Sequence, residues 1–319
     1  MSKDNHFAPN PALADFLRSL PEFPLRKENG HKGNYGHVFL VGGSRGMSGS
    51  IALAGKAALA AGSGLVHLAV PESILNIVAS YAMEYMIAPL PSDPEGKIDP
   101  SAQEMIIHSL NTFTAGAIGP GLGRIHNESV VLRSVLQNVE KPVVFDADAL
   151  NALAPDLWID LPEGELKIAG TRIFTPHPGE FARLTGEPIP QTEEERKNAA
   201  LRFVQSFKDH YHFSHPEKDS LILILKGHRT IITDGQNVYI NETGNPGMAT
   251  GGSGDVLTGI LVSLIGQIRD PLSAVRLAVA LHGLAGDCAA KVLEQESITA
   301  SSLILYFSDA LRLFRSVRR

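Results

Sequence analysis

The feature that most constrains the fold of this 319-residue chain is a regular alternation of short apolar runs with helical segments. Apolar runs at residues 37–41, 65–70, 115–119 and 142–145 are short enough to be buried strands. Segments of about a dozen residues with helical spacing separate them. Strands and helices that alternate in this way form right-handed βαβ units. We therefore predict a mostly parallel sheet covered by helices on both faces.

The alternation changes after residue 220, where three strands are predicted in close succession. They cover Leu221–Lys226, Thr230–Thr233 and Val238–Ile240. The links between them are too short for crossover helices, so an antiparallel edge is expected. The predicted architecture is a three-layer α/β/α sandwich. Residues 31–319 form one domain, and residues 1–30, which are polar and rich in proline, form an N-terminal extension.

Composition excludes several classes of protein. Hydrophobic residues make up 44% of the chain, which is too many for a disordered protein. The net charge is −6 and no basic cluster is present, so nucleic acid is not expected as a partner. The single cysteine excludes an intrachain disulfide. No long apolar stretch predicts a membrane span or a secretory signal, so we expect a cytoplasmic protein.

The densest functional signal is the glycine-rich run from Asn245 to Gly259, which precedes a predicted helix. Backbone amides at the N-terminus of a helix attract anions, so Gly252, Ser253 and Gly254 are predicted to form an anion hole. A carboxylate beside a bound phosphate is a poor ligand, but it is well placed to take a proton from an attacking hydroxyl. Asp255 is therefore the candidate general base, and a helix cap is the alternative.

Other candidate residues follow predicted strands and are expected at the same sheet edge. His177, between two prolines, is a candidate ligand contact, and Glu180 is either a helix cap or a water-mediated magnesium ligand. A structural N-cap pair is favoured over direct catalysis for Asp146 and Asp148. Lys226 ends an apolar run and is a candidate nucleotide contact. The other histidines have no ligand spacing, so no protein-held metal is predicted.

Together these motifs resemble those of the ADP/ATP-dependent NAD(P)H-hydrate dehydratases, a family of the ribokinase-like superfamily. The matching stretches are Lys32-Gly-Asn-Tyr-Gly36, Gly119-Pro-Gly-Leu-Gly123, Phe145-Asp-Ala-Asp-Ala-Leu-Asn151, Thr175-Pro-His-Pro-Gly-Glu180, Lys226-Gly227 with Thr230, and Gly251-Gly-Ser-Gly-Asp-Val-Leu257. The resemblance implies a ribokinase-like fold. It also implies repair of NADHX and NADPHX, the hydrated forms of NADH and NADPH. In this family a nucleotide phosphorylates the added hydroxyl of the S-form, and loss of phosphate restores the cofactor.

The resemblance also implies roles for individual residues. Asp255 would be the catalytic residue, and Ser50, Gly121, His177 and Asp255 would contact the hydrate. Ser50 stands where alanine is expected in the family. Mg²⁺ would accompany ADP or ATP, the co-substrate. The nucleotide contacts would be Lys226, Gly227, His228, Arg229, Thr230 and Gly254.

Many bacterial relatives carry a fused epimerase domain, for which the N-terminal extension is too short. We therefore expect a stand-alone dehydratase that releases AMP and phosphate from ADP, forms a homotetramer and depends on a separate NAD(P)H-hydrate epimerase. Two alternatives are open. One is a ribokinase-like kinase that phosphorylates a small vitamin-precursor alcohol. The other is a non-catalytic nucleotide sensor with the same fold.

Overall fold

The computed structural model describes residues 9–123, 128–158 and 167–318. Residues 1–8 of the predicted extension lie outside the described residues. In the described ranges, nine strands form the central sheet: β1 (His37–Val41), β2 (Leu65–Pro71), β3 (Met86–Leu90), β4 (Ala115–Ile118), β5 (Val143–Phe145), β7 (Arg172–Phe174), β9 (Leu221–Leu225), β10 (Ile231–Thr233) and β11 (Val238–Ile240). A separate pair is formed by β6 (Lys167–Ile168) and β8 (His212–Phe213).

The helices of the described residues are α1 (Pro11–Ser19), α2 (Ser48–Ala60), α3 (Leu75–Ala79), α4 (Gln103–Thr112), α5 (Glu128–Asn138), α6 (Asp148–Leu153), α7 (Pro178–Thr185), α8 (Glu193–His210), α9 (Ser253–Gln267), α10 (Pro271–Ala289) and α11 (Ala300–Ser316). Two of them were not predicted as helices, α7 and α8. Both follow the strand β7 and lie beside the loops that carry the candidate site residues.

The strand order in the central sheet is β11-β10-β9-β7-β5-β4-β1-β2-β3. All neighbouring strands from β3 to β9 are parallel. Strand β10 is antiparallel to both β9 and β11. The predicted parallel sheet with an antiparallel edge is therefore confirmed. The carboxyl ends of β1, β4, β5, β7 and β9 lie along one edge.

Alternate residues of each strand face two separate cores, as the two-residue period of a strand requires. Val38 and Leu40 of β1 pack against the layer that contains α2, α9, α10 and α11. Phe39 and Val41 pack against the layer that contains α4 to α8. The predicted three-layer α/β/α sandwich is confirmed by these two cores.

The segment before β1 packs onto the main core. Leu17 of α1 is fully buried, and Leu20 is nearly so. The Arg318 guanidinium donates to the carbonyl oxygens of Leu17 and Leu20, at 2.8 and 2.7 Å. These bonds join α1 to the chain after α11.

Helix α10 is long and apolar enough to cross a membrane by length and composition alone. In this fold, 78% of that stretch is buried against other elements. Its small and apolar residues pack against α9 and α11, as in the core helix of a layered domain.

Helices α2 and α9 both begin at the carboxyl edge of the sheet and run side by side. A Cβ atom on Gly259 would lie 2.1 Å from the carbonyl oxygen of Ala54, so only glycine permits this approach. Further along, the Ser63 hydroxyl donates to the Ser263 hydroxyl at 2.9 Å, and both side chains are buried. The contact fixes the position of the α2 N-terminus, with Ser50, relative to the α9 N-terminus, with Asp255.

A Gly259→Ala substitution is expected to lower the free energy of unfolding by about 1–3 kcal/mol, the usual cost of overpacking. The added methyl group would meet a backbone atom, which cannot move aside without separating the helices. The matched control is Gly49→Ala in α2, where no atom lies within 4 Å of the added Cβ. That variant should be neutral or more stable by about 0.4–1 kcal/mol. Denaturant unfolding of both variants measures the difference, and equal losses would contradict it.

Candidate active site

The predicted site segments meet at the carboxyl edge of the sheet. A Cβ on Gly121 would lie 3.0 Å from the Ser50 Cβ, so these two predicted substrate contacts are neighbours. The Lys226 ammonium lies near Gly254, 3.5 Å from where a Cβ of that glycine would be. Ser50 in turn hydrogen bonds to Asp255. Residues that are distant in sequence thus surround the start of α9.

The chain turns sharply into α9 at Gly252, whose φ is +86°. A Cβ there would lie 2.6 Å from Leu53 and 3.0 Å from Ala300, so both conformation and space require glycine. We call residues 252–254 the α9 turn. The Ser253 amide donates to the Thr250 carbonyl at 3.3 Å. Within the described residues, the amides of Gly252 and Gly254 have no acceptor, which leaves them available to an anion.

Asp255 lies in the first turn of α9 and is partly buried. The pKa of Asp255 is raised to about 6, chiefly by burial and then by the nearby charge of Asp146. The hydrogen bond from Ser50 and the ammonium of Lys226 act in the opposite direction. A carboxylate with this pKa is ionised at neutral pH and is still basic enough to accept a proton.

Asp146 follows β5 and is almost completely buried. Its Oδ1 accepts hydrogen bonds from the Thr175 hydroxyl and from the Lys226 ammonium, each at 2.7 Å. Its Oδ2 accepts a hydrogen bond from the Thr258 hydroxyl, also at 2.7 Å. Burial acts to raise the pKa of Asp146, but Lys226 and the two hydroxyls outweigh it and hold the pKa below its usual value.

The prediction that Asp146 and Asp148 form an N-cap pair is wrong. The N-cap of α6 is Ala147, and no side chain caps that helix. Asp148 instead accepts a hydrogen bond from the Gly123 amide at 2.9 Å. Asp146 points toward α9 because the chain reverses at Ala147, which has a φ of +49°, rare for a residue other than glycine.

Lys226 follows β9, and its ammonium is buried among carboxylates. It lies 2.7 Å from Asp146 and 3.8 Å from Glu180. Burial acts to lower the pKa of Lys226, but Asp146 and Glu180 raise it above its usual value, so the side chain is cationic. The position beside the α9 turn suits a contact with phosphate, and the nucleotide contact stays a prediction.

The loop from Lys226 to Thr230 is hydrogen bonded to α8, a helix that was not predicted from the sequence. Arg196 of α8 donates to the carbonyl oxygen of His228 at 2.7 Å and to that of Leu225 at 3.3 Å. The Thr230 hydroxyl donates to the Gly227 carbonyl at 3.0 Å. The loop conformation is therefore fixed by a side chain that no motif singled out.

Arg229, a predicted nucleotide contact, pairs with two carboxylates. Its guanidinium lies 2.8 Å from Glu193 and 2.8 Å from Glu242. Its φ of +53° shows that the loop is tightly bent at this residue. Any nucleotide bound by the guanidinium would share it with these acids.

His177 and Glu180 form a capping box at the start of α7. The Glu180 carboxylate accepts a hydrogen bond from the His177 amide at 2.8 Å, and the His177 Nδ1 accepts one from the Gly179 amide at 3.0 Å. Of the two interpretations of Glu180, the helix cap is the one that the structure shows. Burial lowers the pKa of His177, so the ring is neutral at pH 7, and half of it is exposed to a ligand.

A protein-held magnesium site does not fit the described part of the chain. No group of three acidic or histidine side chains is placed to hold a metal there. Two of the carboxylates near the α9 turn, those of Asp146 and Glu180, already accept hydrogen bonds from protein groups.

Comparison with known proteins identifies the family. A family model described as NAD(P)H-hydrate dehydratase matches residues 38–307, which is most of the chain. The chain belongs to the NAD(P)H-hydrate dehydratase family. The match covers all the site residues above, from Ser50 to Asp255, so the geometry at the α9 turn is a property of a family member.

Relatives of two kinds match by sequence. The bifunctional NAD(P)H-hydrate repair enzyme Nnr of Moorella thermoacetica is 42% identical over 96% of this chain, which covers 54% of that protein. The ADP-dependent (S)-NAD(P)H-hydrate dehydratase of Neisseria meningitidis serogroup B is 34% identical over 95% of this chain and 93% of its own. The chain thus spans about half the length of the bifunctional relatives that it matches first.

Solved structures of the family have the same fold. The ADP/ATP-dependent NAD(P)H-hydrate dehydratase of Bacillus subtilis, co-crystallised with ATP and Mg²⁺, superposes with a TM-score of 0.74 and is 27% identical. The alignment covers 94% of this chain and 97% of the Bacillus subtilis chain. The ribokinase-like fold expected from the motifs is confirmed by this likeness.

The Asp255→Asn variant should be more thermally stable than the wild type at pH 8. Because the pKa of Asp255 is raised to about 6 in the folded protein, its ionised form destabilises the fold. This cost is absent at low pH and grows as the pH rises through 6. The melting temperature should rise by a few degrees at pH 8, and the gain should shrink toward pH 4.

Asp270→Asn is the matched control for this measurement. Asp270 caps α10 by accepting a hydrogen bond from the Ser273 amide at 2.9 Å, and asparagine is an equally good cap. Its melting temperature should follow that of the wild type at both pH values. A pH-independent gain in Asp255→Asn would contradict a buried, ionised carboxylate.

Proposed function

We propose that this chain dehydrates the S-form of NADHX or NADPHX and returns the cofactor to NADH or NADPH. ADP is the proposed phosphoryl donor, with AMP and phosphate as products. The observation that carries the proposal is Asp255, a partly buried carboxylate with a pKa near 6 at the turn that begins α9. The membership of the NAD(P)H-hydrate dehydratase family supplies the substrate class.

The chemistry follows from the charges at the α9 turn. Asp255 takes the proton of the added hydroxyl as the hydroxyl oxygen attacks the terminal phosphorus of the nucleotide. The amides of Gly252 and Gly254 face the phosphoryl oxygens and stabilise their charge. The phosphate ester then breaks at carbon as the lone pair of the ring nitrogen forms a C=N⁺ bond. Loss of a proton from the neighbouring ring carbon then gives the carbon–carbon double bond of the reduced cofactor. Phosphate leaves far more readily than hydroxide does.

The substrate contacts are proposed from position. Ser50 and Gly121 are adjacent, and Ser50 hydrogen bonds to Asp255, so a hydroxyl bound to these groups is within reach of the base. The exposed half of the His177 ring offers a further contact for the hydrate. The nucleotide is proposed to bind on the Lys226–Thr230 side, with Gly254 at the phosphate.

The excess of negative charge around the α9 turn supports magnesium as the partner of the nucleotide. Four carboxylates, those of Asp146, Asp148, Glu180 and Asp255, lie around the α9 turn, and the Lys226 ammonium pairs with two of them, Asp146 and Glu180. A nucleotide without a counterion would be repelled by this excess of negative charge. The Bacillus subtilis relative was co-crystallised with ATP and Mg²⁺. The chemistry that bound Mg²⁺ supplies is neutralisation of phosphate charge.

The choice of donor and the organisation of the enzyme rest on the relatives. ADP is proposed because the Neisseria meningitidis relative, which this chain matches over nearly its full length, is named ADP-dependent. The bifunctional relatives support a partnership with an NAD(P)H-hydrate epimerase activity. We further propose that residues 31–319 form the dehydratase domain, with residues 1–30 as an extension. The homotetramer and the cytoplasmic location stay predictions.

A kinase for a vitamin-precursor alcohol receives less support. The family model and both sequence relatives carry hydrate-dehydratase or hydrate-repair descriptions. A non-catalytic sensor gains nothing from a basic carboxylate at the anion-binding turn, because the carboxylate weakens phosphate binding.

The test is the reappearance of reduced nicotinamide absorbance when the protein is mixed with NADHX, Mg²⁺ and either ADP or ATP. We expect a rise that depends on the nucleotide and is faster with ADP. The Asp255→Asn variant should lose at least about 10²-fold in kcat, the typical effect of removing a general base, and should still bind ADP. A flat trace with both donors from folded protein would overturn the proposal. A stable phosphorylated product from a small alcohol would favour the kinase.

The pH dependence should reflect the state of Asp255. A base must be deprotonated, so kcat/KM should rise with pH and level off above an apparent pKa of about 6. The profile is measured under ADP saturation with a pH-matched check of protein stability. An acidic limb of kcat/KM with an apparent pKa near the usual aspartate value would show that Asp255 is not the titrating base.

A further inference from the structure

The buried carboxylate of Asp146 has no part in the chemistry above, although its environment is more elaborate than that of Asp255. Its three hydrogen-bond donors come from three different elements: Thr175 follows β7, Lys226 follows β9, and Thr258 belongs to α9. Each bond is 2.7 Å long. Such convergence fixes the carboxylate and, with it, each of the groups that donate to it.

The fixed position of the Asp146 carboxylate matters most for Lys226. Without it, the long lysine side chain would be able to pair with any of the nearby carboxylates. Its ammonium forms ion pairs with Asp146 at 2.7 Å and with Glu180 at 3.8 Å. It forms none with Asp255 within 4.0 Å, although the charge of Asp255 acts on it. The ammonium therefore stays beside the α9 turn without neutralising the base.

We propose that Asp146 is a positioning residue that holds the Lys226 ammonium beside the α9 turn and away from the Asp255 carboxylate. The inference rests on the proposed function, in which Lys226 meets phosphate and Asp255 takes a proton. If Lys226 paired with Asp255, the carboxylate would become a weaker base. Asp146 thus separates an acid–base pair that would otherwise form.

The backbone of Asp146 supports this role. The next residue, Ala147, has a φ of +49° and a ψ of −118°, which costs conformational energy in a residue with a side chain. The reversal allows Asp146 to point toward Lys226 while Asp148 meets the Gly123 amide. Backbone strain next to a buried carboxylate is typical of a site at which the orientation of the side chain is important for function.

Within the described residues, the groups that act on Asp255 come from several elements. Asp146 and Asp148 follow β5, Lys226 follows β9, and the Ser50 hydroxyl belongs to α2. Glu180 of α7 acts through Lys226. From α10, His282 lies 3.0 Å from the Ser253 carbonyl, and burial lowers its pKa to about 4, so it is neutral.

The first experiment compares Asp146→Asn with the wild-type full chain. Removal of the Asp146 charge takes away a repulsion on Asp255 and frees Lys226 to pair with it. The acidic limb of kcat/KM should move to lower pH, and kcat should fall on the order of 10²-fold because the ammonium is misplaced. Binding of ADP with Mg²⁺, measured by calorimetry, should be retained.

Two variants make the direction of the shift decisive. Ser50→Ala removes a hydrogen bond that lowers the pKa of Asp255, so its limb should move to higher pH, opposite to Asp146→Asn. Asp234→Asn is the matched control, since Asp234 accepts hydrogen bonds from Gln236 and Asn237 in the turn between β10 and β11. The acidic limb of kcat/KM for Asp234→Asn should stay at the wild-type pH. An Asp146→Asn limb that is unchanged or higher would overturn the proposal.

A milder variant covers the case in which Asp146→Asn does not fold. Thr258→Val removes one hydrogen bond from Asp146 and keeps the charges and the side-chain shape. It should lower kcat with little change in KM, and Thr258→Ser should restore the rate because it restores the donor. Equal losses in the valine and serine variants would overturn the proposal.

A direct titration separates this inference from the proposed function. The Asp255 carboxyl carbon can be followed by NMR against pH in the wild type, Asp146→Asn and Thr258→Val. Because Thr258→Val keeps the Asp146 charge, a lower pKa of Asp255 in both variants would report a movement of Lys226 and would support the positioning role even if no hydrate were dehydrated. Hydrate dehydration by the wild type, with a shift in Asp146→Asn alone, would leave the function standing and overturn the role of Asp146.

Discussion

The close approach of α2 and α9 is the contact on which the site depends. Both helices start at the carboxyl edge of the sheet, and Gly259 lies against the Ala54 carbonyl, where no side chain fits. With the helices fixed there, Ser50 and Asp255 face each other one turn closer to the sheet edge. The Asp255 carboxylate is thus positioned by backbone packing in the core as well as by its own hydrogen bond.

The site carries more negative than positive charge, and its geometry decides which carboxylates are paired. Three carboxylates, those of Asp146, Glu180 and Asp255, act on the Lys226 ammonium, and the ammonium forms ion pairs with Asp146 and Glu180. The Asp255 carboxylate is left with a hydroxyl and a poor solvent environment, which is why its pKa is high. A site of this kind stores electrostatic energy that a bound cation, or a proton taken up by Asp255, would release.

The sequence predicted the sheet well because buried strands end in glycine or a polar residue and alternate with helices. It predicted Asp255 at the start of a helix, where the structure has it, because glycine clusters before a helix have few other uses; its role as a base stays a prediction. It failed for Asp146, since a carboxylate beside a predicted helix start looks like a cap whether its partners are local or distant. Lys226 lies 80 positions away and Thr258 lies 112 positions away, and no local pattern reveals such pairings. Helix α8 was missed although Thr192 and Glu195 form a capping box that the sequence displays.

The loop from Lys226 to Thr230 has a consequence for how tightly a ligand is held. Arg196 fixes its carbonyl oxygens, and Glu193 and Glu242 fix Arg229, before any ligand arrives. Ordering a flexible loop on binding costs conformational entropy, about 1–2 kcal/mol for each residue whose backbone is fixed. Here that entropy is lost when the chain folds. A ligand of this loop therefore meets a surface that is already rigid, and more of its contact energy appears as affinity.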